Sequence, residues 1–296
     1  MTATSVIATI GPAGRVTGHL AQNVIMSVAG SRAAPAAPLS EARLREAVTG
    51  PVRLWTRVEV TERTGSTNAD VLTRARVGAP EGLVVAADAQ DHGRGRLGRS
   101  WESLPGSALT FSVLLRPSAA QLSSPGWLPL LAGVAAATAV RATAAVDARL
   151  KWPNDVLIGG GKLAGILAEA EGDAAVVGIG LNVRGGPSEL PVATATSLEA
   201  HGAGDTDRTS LLAAILEQIE AWYLDWREAG DPDSCGLRAA YLRLSATIGR
   251  RVRAELPGGR VVAGTATGLD GAGSLMIRSG HAAETAVIAG DVWHLR

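Results

Sequence analysis

The sequence predicts an α/β (α+β) fold followed by a small closed β-barrel. Segments with helical and strand periodicity alternate from residue 40 onward. Three short strands between residues 156 and 183 are separated by tight glycine-containing turns, as in an antiparallel meander. Beyond about residue 246 the chain becomes a series of short β runs with Gly-rich turns, which indicates the barrel. We therefore divide the chain into a poorly ordered extension (1–39), a main domain (40–245) and a C-terminal barrel domain (246–296).

The individual elements follow from caps, breakers and apolar spacing. A short helix begins after Ser40 and ends at Gly50-Pro51. A strand is predicted over 54–60, and Ser66 or Thr67 caps a helix that buries Val71, Leu72 and Ala75. The remaining predicted elements are strands over 82–87 and 109–115, a long helix over 127–146, the meander strands over 156–158, 162–169 and 174–183, and helices over 207–229 and 237–244.

Composition excludes several classes of function. The 296 residues are 46% hydrophobic and carry 28 Lys+Arg against 28 Asp+Glu, so no net charge draws the chain to nucleic acid or anionic lipid. The single cysteine, Cys235, excludes an intramolecular disulfide and a Cys-cluster zinc site, and it favours a cytoplasmic location. The longest apolar stretch, Trp127 to Val140, is shorter than the roughly 20 residues of a membrane span. We predict that it is a buried helix and that the protein does not bind membranes.

The stretch Gly93–Trp101, with the sequence GRGRLGRSW, is the most unusual in the chain. Its glycines allow the backbone to approach an anion closely, and Arg94, Arg96 and Arg99 offer bidentate binding of phosphate or carboxylate. A solvated basic loop or an RGG-like nucleic-acid patch remains the alternative. The glycine spacing is that of neither a P-loop nor a dinucleotide-binding turn.

Two further stretches place polar side chains at the ends of predicted strands. The segment Lys151–Asp155 (KWPND) lies at a helix-to-strand junction, where the Trp-Pro pair indicates a turn that presents Lys151 and Asn154 to one side. Asn182 ends the β run GIGLN. Taken singly, the first is typical of a junction turn with a buried tryptophan, and the second of a turn-forming asparagine.

Lys162 begins the second predicted meander strand, and its neighbours in that strand bear on its role. By the period of two, its side chain shares a face with Ala164 and Ile166, while Gly165 leaves backbone open for a ligand. A solvated lysine at a hairpin end is the ordinary alternative.

Together these stretches resemble the biotin protein ligase family, from about residue 64 to the C-terminus. The resemblance is to the monofunctional type without an N-terminal DNA-binding domain, because residues 1–39 show no helix-turn-helix pattern. The matching stretches are TGSTN (64–68), Gln90 ahead of GRGRLGRSW (93–101), KWPNDV (151–156), GKLAGILAE (161–169) and GIGLNV (178–183).

The resemblance implies a fold and a two-step reaction. The fold is a mixed, largely antiparallel sheet with flanking helices, as in the catalytic domain of class II aminoacyl-tRNA synthetases, plus an SH3-like barrel. Biotin and ATP would give biotinyl-5′-AMP and pyrophosphate, and a lysine of a biotin carboxyl carrier domain of acyl-CoA or pyruvate carboxylase subunits would then take the biotinyl group. Attack of a carboxylate on a phosphate brings two anions together, so fixed cations and Mg²⁺ are expected around them.

Site residues are carried over from the same resemblance. The expected catalytic residues are Lys162, Arg94 and Lys151. The expected biotin-binding residues are Ser66, Thr67, Asn68, Gln90, Arg94, Lys162 and Gly165. The expected ATP- or adenylate-binding residues are Gly93, Arg94, Gly95, Arg96, Arg99, Trp101, Lys151, Asn154 and Asn182, with Mg²⁺ near Asn154 and Asn182 but no resident metal site assigned.

Two other functions stay open at this point. The first is a lipoate or octanoate ligase of the same fold, which the arginine loop and KWPNDV disfavour. The second is a non-catalytic biotin-binding regulator, which the intact Lys151, Lys162 and loop arginines disfavour. We expect no operator-specific DNA binding. The sequence does not determine the oligomeric state, although a monomer is the preferred expectation.

Overall fold

A computed structural model describes residues 37–186, 189–190, 192–280 and 283–295. The predicted extension over 1–39 therefore lies outside the described residues, except for its last three. Of these, Leu39 is buried, and its backbone N–H donates to the Asp88 carboxylate at 3.3 Å. From residue 37 onward the chain forms one compact unit. The division between residues 245 and 246 remains a prediction.

A seven-stranded sheet forms the centre of the fold, in the order β1-β2-β5-β9-β8-β7-β6. The first two strands are parallel, and every other neighbouring pair is antiparallel, which confirms the expected mixed, largely antiparallel sheet. The first nine strands in chain order, of which β3 and β4 form a separate two-stranded ladder, are β1 (Arg57–Thr64), β2 (Leu83–Gln90), β3 (Gly93–Arg94), β4 (Ser100–Trp101), β5 (Ala108–Leu115), β6 (Arg149–Lys151), β7 (Asp155–Ile158), β8 (Gly161–Glu171) and β9 (Ala174–Asn182).

Helices cover both faces of this sheet. The helix after Ser66 buries Val71, Leu72 and Ala75 against one face, as predicted. The long apolar helix that begins at Trp127 packs in the main core on the other face. The helices are α1 (Glu41–Val48), α2 (Thr67–Arg76), α3 (Ala119–Leu122), α4 (Trp127–Ala144), α5 (Arg208–Ala229) and α6 (Leu237–Leu244).

Helix α4 has the length and composition of a membrane span. However, 67% of it is buried inside the described fold, which is typical of a core helix. Its Trp127 indole N–H donates to the Gly271 carbonyl at 2.9 Å, so even its first residue is committed to internal packing. The predicted buried helix is therefore confirmed.

The first predicted strand lies further along the chain than expected. Residues 54–60 alternate as a strand should, but Leu54 and Trp55 are bound to α5 instead. The Leu54 N–H donates to Glu220 at 3.0 Å, and the Trp55 indole N–H donates to the Leu216 carbonyl at 3.0 Å. The strand β1 therefore begins at Arg57.

The C-terminal part is a five-stranded antiparallel sheet in the order β13-β12-β11-β10-β14. The predicted C-terminal β domain is confirmed, whereas its closure into an SH3-like barrel stays a prediction. Within the part of the chain that the structure describes, no hydrogen-bonded ladder joins the two outer strands. The strands are β10 (Arg251–Glu255), β11 (Val261–Leu269), β12 (Leu275–Arg278), β13 (Glu284–Val287) and β14 (Asp291–His294).

The Lys-Trp-Pro turn attaches this sheet to the main domain. The buried Trp152 indole N–H donates to the Gly273 carbonyl at 3.0 Å, and the Trp152 backbone N–H donates to Thr247 Oγ1 at 3.1 Å. The Ala246 N–H donates to the Leu150 carbonyl at 2.7 Å. Strand β14 is thereby brought to the same side of the molecule as the turn that carries Lys151 and Asn154.

Candidate active site

A cavity of about 1280 Å³ is lined by residues of both the main sheet and the C-terminal sheet. Lys151 and Lys162 both line it, and they are the only lysines in the sequence. Every other basic side chain is an arginine or a histidine, so the compact ammonium groups occur at this cavity alone. The other predicted site residues on its wall are Ser66, Thr67, Asn68, Gln90, Arg94, Gly95, Arg96, Arg99, Trp101, Asn154, Gly165 and Asn182.

Gly93 is the predicted site residue that does not line the cavity. It is buried and pairs with Trp101 in the short β3-β4 ladder. A Cβ at this position would clash with the Trp101 carbonyl and lie 3.1 Å from Gln90 Nε2. The structure therefore indicates that Gly93 permits the ladder that shapes the arginine loop. A ligand contact through Gly93 stays a prediction.

One end of the cavity is a slot of buried hydroxyl and amide groups. Ser66 caps α2, and the Gln90 side-chain carbonyl accepts from the Thr67 backbone N–H at 2.8 Å. The Thr67 hydroxyl lies 2.7 Å from Ser112 Oγ, which donates to Asn68 Oδ1 at 2.6 Å. These contacts fix the polar atoms before any ligand arrives. Such a slot suits a mostly neutral ring with a few donors and acceptors.

A carboxylate connects this slot to the arginine loop. The Asn68 Nδ2 donates to one oxygen of Glu169 at 2.8 Å, and Arg94 forms an ion pair with the other oxygen. Because Asn68 uses its amide nitrogen on Glu169 and its oxygen on Ser112, its orientation is determined by two partners of opposite polarity.

An Asn68→Asp substitution is expected to weaken binding in the slot. A carboxylate at this position cannot donate to Glu169 and is repelled by it, and leaving such a group unsatisfied costs roughly 1–3 kcal/mol. We expect a larger dissociation constant for the carboxylic acid that the family resemblance implies, measured by titration calorimetry. The helix content should stay unchanged. Thr73→Ala, at an exposed position of the same helix, serves as the control. Equal affinities of the two variants would contradict the assigned role of Asn68.

Two glycines on neighbouring strands form a flat floor beside the slot. Gly165 of β8 lies directly opposite Gly180 of β9, and the Trp101 indole lies against both. A Cβ on Gly180 would lie 2.7 Å from Trp101 Cδ2, and one on Gly165 would lie 3.4 Å from Trp101 Cζ3. The buried Trp101 Nε1 has no hydrogen-bond partner among the described residues. A buried donor of this kind is available to a ligand.

Lys162 reaches the cavity because the strand is irregular at this point. We predicted that its side chain shares a face with Ala164 and Ile166, and this prediction is wrong. The pairing of β7 with β8 shifts register between Val156 and Leu157, so Leu163 and Ala164 are both fully buried. This bulge places Lys162 on the face of Gly165: a Cβ there would lie 3.2 Å from Lys162 Nζ.

The ammonium group of Lys162 is held by Asp155 of the KWPND turn. The distance from Lys162 Nζ to Asp155 Oδ1 is 2.6 Å, and the lysine side chain keeps 33% of its surface exposed. Since Asp155 is directly opposite Gly165 in the ladder, the pair lies at the floor formed by the two glycines. The cation is therefore both oriented and accessible to an anionic ligand.

The arginine loop contacts three different elements. Arg94 pairs with Glu169 of β8, Arg96 Nη1 donates to Asn154 Oδ1 at 3.0 Å, and Arg99 pairs with Asp291 of β14. The pKa of Arg96 is lowered, chiefly by burial and also by the nearby Arg99, although Asp291 and Asp155 act in the opposite direction. Within the loop, Leu97 adopts a left-handed conformation with φ 56°. The loop thus folds back so that Gly95 N–H donates to the Arg99 carbonyl at 2.7 Å.

The C-terminal sheet also contributes a histidine to the cavity wall. Burial and the nearby Lys151 and Arg250 lower the pKa of His294 to about 4, so its imidazole is neutral at pH 7. The Thr247 hydroxyl accepts from the Trp152 N–H and lies 3.0 Å from His294 Nε2. A neutral ring leaves the positive charge of this region on Lys151 and Arg250.

Several residues of the site were not assigned from the sequence. Asp155 and Glu169 lie inside the quoted motifs. The available signal was that these motifs also contain the predicted site lysines Lys151 and Lys162. Ser112 interrupts the apolar strand β5, which is a signal for a buried polar contact. Asp291 and His294 follow no pattern that connects them to the loop, because their contacts lie far apart in sequence.

The described residues do not form a metal centre of their own. Among residues 37–186, 189–190, 192–280 and 283–295 no group of three or more His, Cys, Asp or Glu could hold a metal ion. Asn154 Oδ1 accepts from Arg96, and Asn182 Nδ2 donates to the Thr196 carbonyl at 2.9 Å. A divalent ion here would need most of its ligands from a substrate and water.

Two family models match the chain. The Biotin/lipoate A/B protein ligase family matches residues 60–184, and the Biotin protein ligase C terminal domain matches residues 247–295. The first match contains most of the cavity-lining motifs, and the second contains Asp291 and His294.

The chain is also similar to individual proteins. A biotin–[acetyl-CoA-carboxylase] ligase of Mycobacterium tuberculosis is 43% identical over 264 residues, which are 88% of this chain and 97% of that protein. The bifunctional ligase/repressor BirA of Bacillus subtilis is 35% identical over 68% of this chain and 63% of its own length. A solved biotin protein ligase from Aquifex aeolicus, in complex with biotin and ATP, superimposes with a TM-score of 0.70 at 26% identity, covering 81% of this chain and 100% of that one.

Proposed function

This chain belongs to the biotin protein ligase family, and from that premise we propose that it is an ATP-dependent enzyme that joins biotin to a lysine of a carrier protein. One observation carries the proposal: both lysines of the sequence and three loop arginines converge on one cavity that ends in a polar slot. A carboxylic acid and a nucleoside triphosphate are both anions at neutral pH, so the cations of this cavity would attract both substrates. The expected acceptor is the biotin carboxyl carrier domain of acetyl-CoA carboxylase.

The slot suits the ring system of biotin. Its ureido group needs donors for one carbonyl oxygen and an acceptor for each of two N–H groups, and Ser66, Thr67, Asn68 and Gln90 provide hydroxyl and amide groups. The apolar remainder of biotin would then run past the Trp101 indole, which itself packs on Gly165 and Gly180. This route delivers the carboxylate of biotin to Lys162.

The first step joins two anions. A carboxylate oxygen of biotin forms a bond to the α-phosphorus of ATP, the bond to the bridging oxygen breaks, and pyrophosphate leaves with the electron pair. Lys162, Arg94 and Arg96 offset the combined negative charge of the reacting groups. Their carboxylate and amide partners keep these cations oriented beforehand, so little reorganisation is needed during the reaction.

The second step transfers the biotinyl group to an amine. The neutral amine of the carrier lysine attacks the acyl carbon of the adenylate, the bond from that carbon to the phosphate oxygen breaks, and AMP leaves while the amine nitrogen loses a proton. Lys162 remains beside the leaving phosphate and stabilises its charge. No nucleophile of the enzyme is required, because the adenylate is itself an activated acyl group.

Magnesium enters this scheme with the nucleotide. Among the residues that the structure describes, amide oxygens line the cavity and no cluster of three or more His, Cys, Asp or Glu could hold a metal ion, so Mg²⁺ would be held chiefly by the triphosphate and water. Asn154 and Asn182 both line the cavity, which supports the proposal that they contact such an ion or the nucleotide itself. We also propose a cytoplasmic location, which the single cysteine favours.

The acid substrate distinguishes this proposal from its nearest alternative. Purified protein is incubated with MgATP and biotin, lipoate or octanoate, and pyrophosphate release is measured for each acid. We expect release with biotin at least tenfold above either other acid, because the slot offers fixed polar groups that an aliphatic chain leaves unpaired. Preference for lipoate or octanoate would assign the protein to that sister activity. Biotin binding without pyrophosphate release would favour a non-catalytic regulator.

A further inference from the structure

Asp291 of the C-terminal sheet lies on the cavity wall and binds the arginine loop. Both oxygens of its carboxylate lie 2.6 Å from Arg99 Nη2. Arg99 and Asp291 are 192 positions apart in sequence, and both line the cavity, so this contact joins the main domain to β14 at the cavity wall.

Fixing Arg99 fixes the rest of the loop. The Arg99 carbonyl accepts from the Gly95 N–H at 2.7 Å, and the Arg99 N–H donates to the Arg96 carbonyl at 3.2 Å. The backbone between Gly95 and Arg99 is therefore one closed turn. Any contact that holds Arg99 also determines where Arg96 lies relative to Asn154.

The charge of Asp291 fits an anchoring role better than a ligand contact. A carboxylate at the wall of a cavity for ATP repels phosphate unless a cation neutralises it. Arg99 provides that cation, and Asp291 also acts favourably on the charged form of Arg96. Asp291 thereby stabilises two loop arginines while its own charge is balanced.

The ion pair is partly exposed, which suits a contact that must open. The Arg99 side chain is 58% exposed and that of Asp291 is 32% exposed. Ion pairs with this exposure contribute little free energy. Such a pair shifts the equilibrium between an open and a closed loop without preventing the loop from opening. A loop over the cavity has to open for substrates to enter and for AMP to leave.

We infer that Asp291 is a positioning residue through which the C-terminal sheet holds the arginine loop closed over the adenylate, by way of Arg99. The inference rests on the proposed function for the identity of the enclosed ligand. It does not rest on that function for the loop contact itself. Asp291 touches neither substrate in this account and acts only through Arg99.

The test compares Asp291→Asn with a matched control in the same sheet. Glu284→Gln removes an ion pair of similar geometry: Arg278 Nη2 lies 2.7 Å from Glu284, and the side chains are 56% and 31% exposed. Neither Arg278 nor Glu284 lines the cavity. Any general effect of losing an exposed pair in this sheet should therefore be equal in both variants.

The first readout is independent of catalysis. Trypsin cleaves after Arg94 and Arg96 only while the loop is open, so the cleavage rate without substrates reports the open population. We expect cleavage about 1.5- to 5-fold faster in Asp291→Asn than in wild type, and unchanged in Glu284→Gln. The wild-type rate should rise toward the Asp291→Asn rate as salt screens the pair. Equal rates in both variants with equal thermal stability would overturn the inference.

The second readout measures retention of the intermediate. With biotin and MgATP but no carrier, Asp291→Asn should lose biotinyl-adenylate to solution faster than wild type, while Glu284→Gln matches wild type. If cleavage distinguishes the variants but wild type makes no adenylate, the loop contact stands and the proposed function fails. If wild type makes adenylate and both variants retain it equally, the proposed function stands and the inference is wrong.

Discussion

Lys162→Ala is expected to lower the rate of biotinyl-adenylate formation by about 10²–10³-fold, the usual effect of removing one group that stabilises transition-state charge. The ammonium lies on the face of Gly165, which is where the proposed reaction brings the carboxylate of the acid to the α-phosphate. Its loss also leaves Asp155 without the cation at 2.6 Å, which adds a repulsive charge to the site. Pyrophosphate release under saturating biotin and MgATP measures the effect.

A matched control is available in a cation that pairs with the same strand. Arg76→Ala removes a cation paired with Glu171, the last residue of β8, at 2.8 Å and outside the cavity. We expect nearly wild-type pyrophosphate release from Arg76→Ala. A Lys162→Ala variant that reacts within a few-fold of this control would show that Lys162 does not stabilise the reacting anions.

Gly180→Ala is expected to disrupt the site from its floor. The added methyl group would lie 2.7 Å from Trp101 Cδ2 and Cζ2, so the indole has to move away from its position over the two glycines. Overpacking of this kind costs about 1–3 kcal/mol, which corresponds to a roughly 5- to 150-fold increase in KM for biotin or ATP if the indole borders the adenylate. Initial rates at varied biotin and at varied ATP measure it.

Gly268→Ala is the control for the Gly180 substitution. A Cβ at Gly268 would meet no atom within 4 Å, and its φ lies outside the left-handed region. Both variants place alanine in a strand, so the difference between them isolates the contact with Trp101. Unchanged KM values in Gly180→Ala would mean that Trp101 does not border either substrate.

Local patterns were sufficient to locate the elements that carry the site. Ser66 caps α2 as expected, and Leu44 and Val48 are buried on one face of α1. The three-stranded meander has the predicted order because Gly159, Gly160 and Gly172 occur where the chain reverses with positive φ. The motifs therefore contain residues that line one common cavity, although no topology was derived from their spacing.

The apolar periodicity of the sequence did not predict irregularities in strand register. The period of two assigns Lys162 to the face of Ala164, and a single bulge between β7 and β8 reverses that assignment. A bulge depends on how two strands meet, and nothing in the eleven residues of β8 alone records it. Lys162 therefore lies on the cavity wall. The face that periodicity assigned to it was wrong, and its catalytic role stays a prediction.

Contacts between distant segments were likewise absent from the sequence. Asp291 and His294 sit in a strand whose composition is that of any short β run, and their partners Arg99 and Thr247 lie elsewhere in the chain. Their role depends on the attachment of the C-terminal sheet through Trp152. Such long-range pairs require the folded structure, whereas Asp155 and Glu169 were open to inference from their motifs.

The most direct measurement of the central claim is the intact mass of a purified biotin carboxyl carrier domain after incubation with this protein, MgATP and an equimolar mixture of biotin, lipoate and octanoate. The account predicts one biotinyl adduct on the carrier, dependent on ATP and strongly reduced with Lys162→Ala. A lipoyl or octanoyl adduct in place of biotin, or an unmodified carrier that a characterised biotin ligase does biotinylate in parallel, would contradict it.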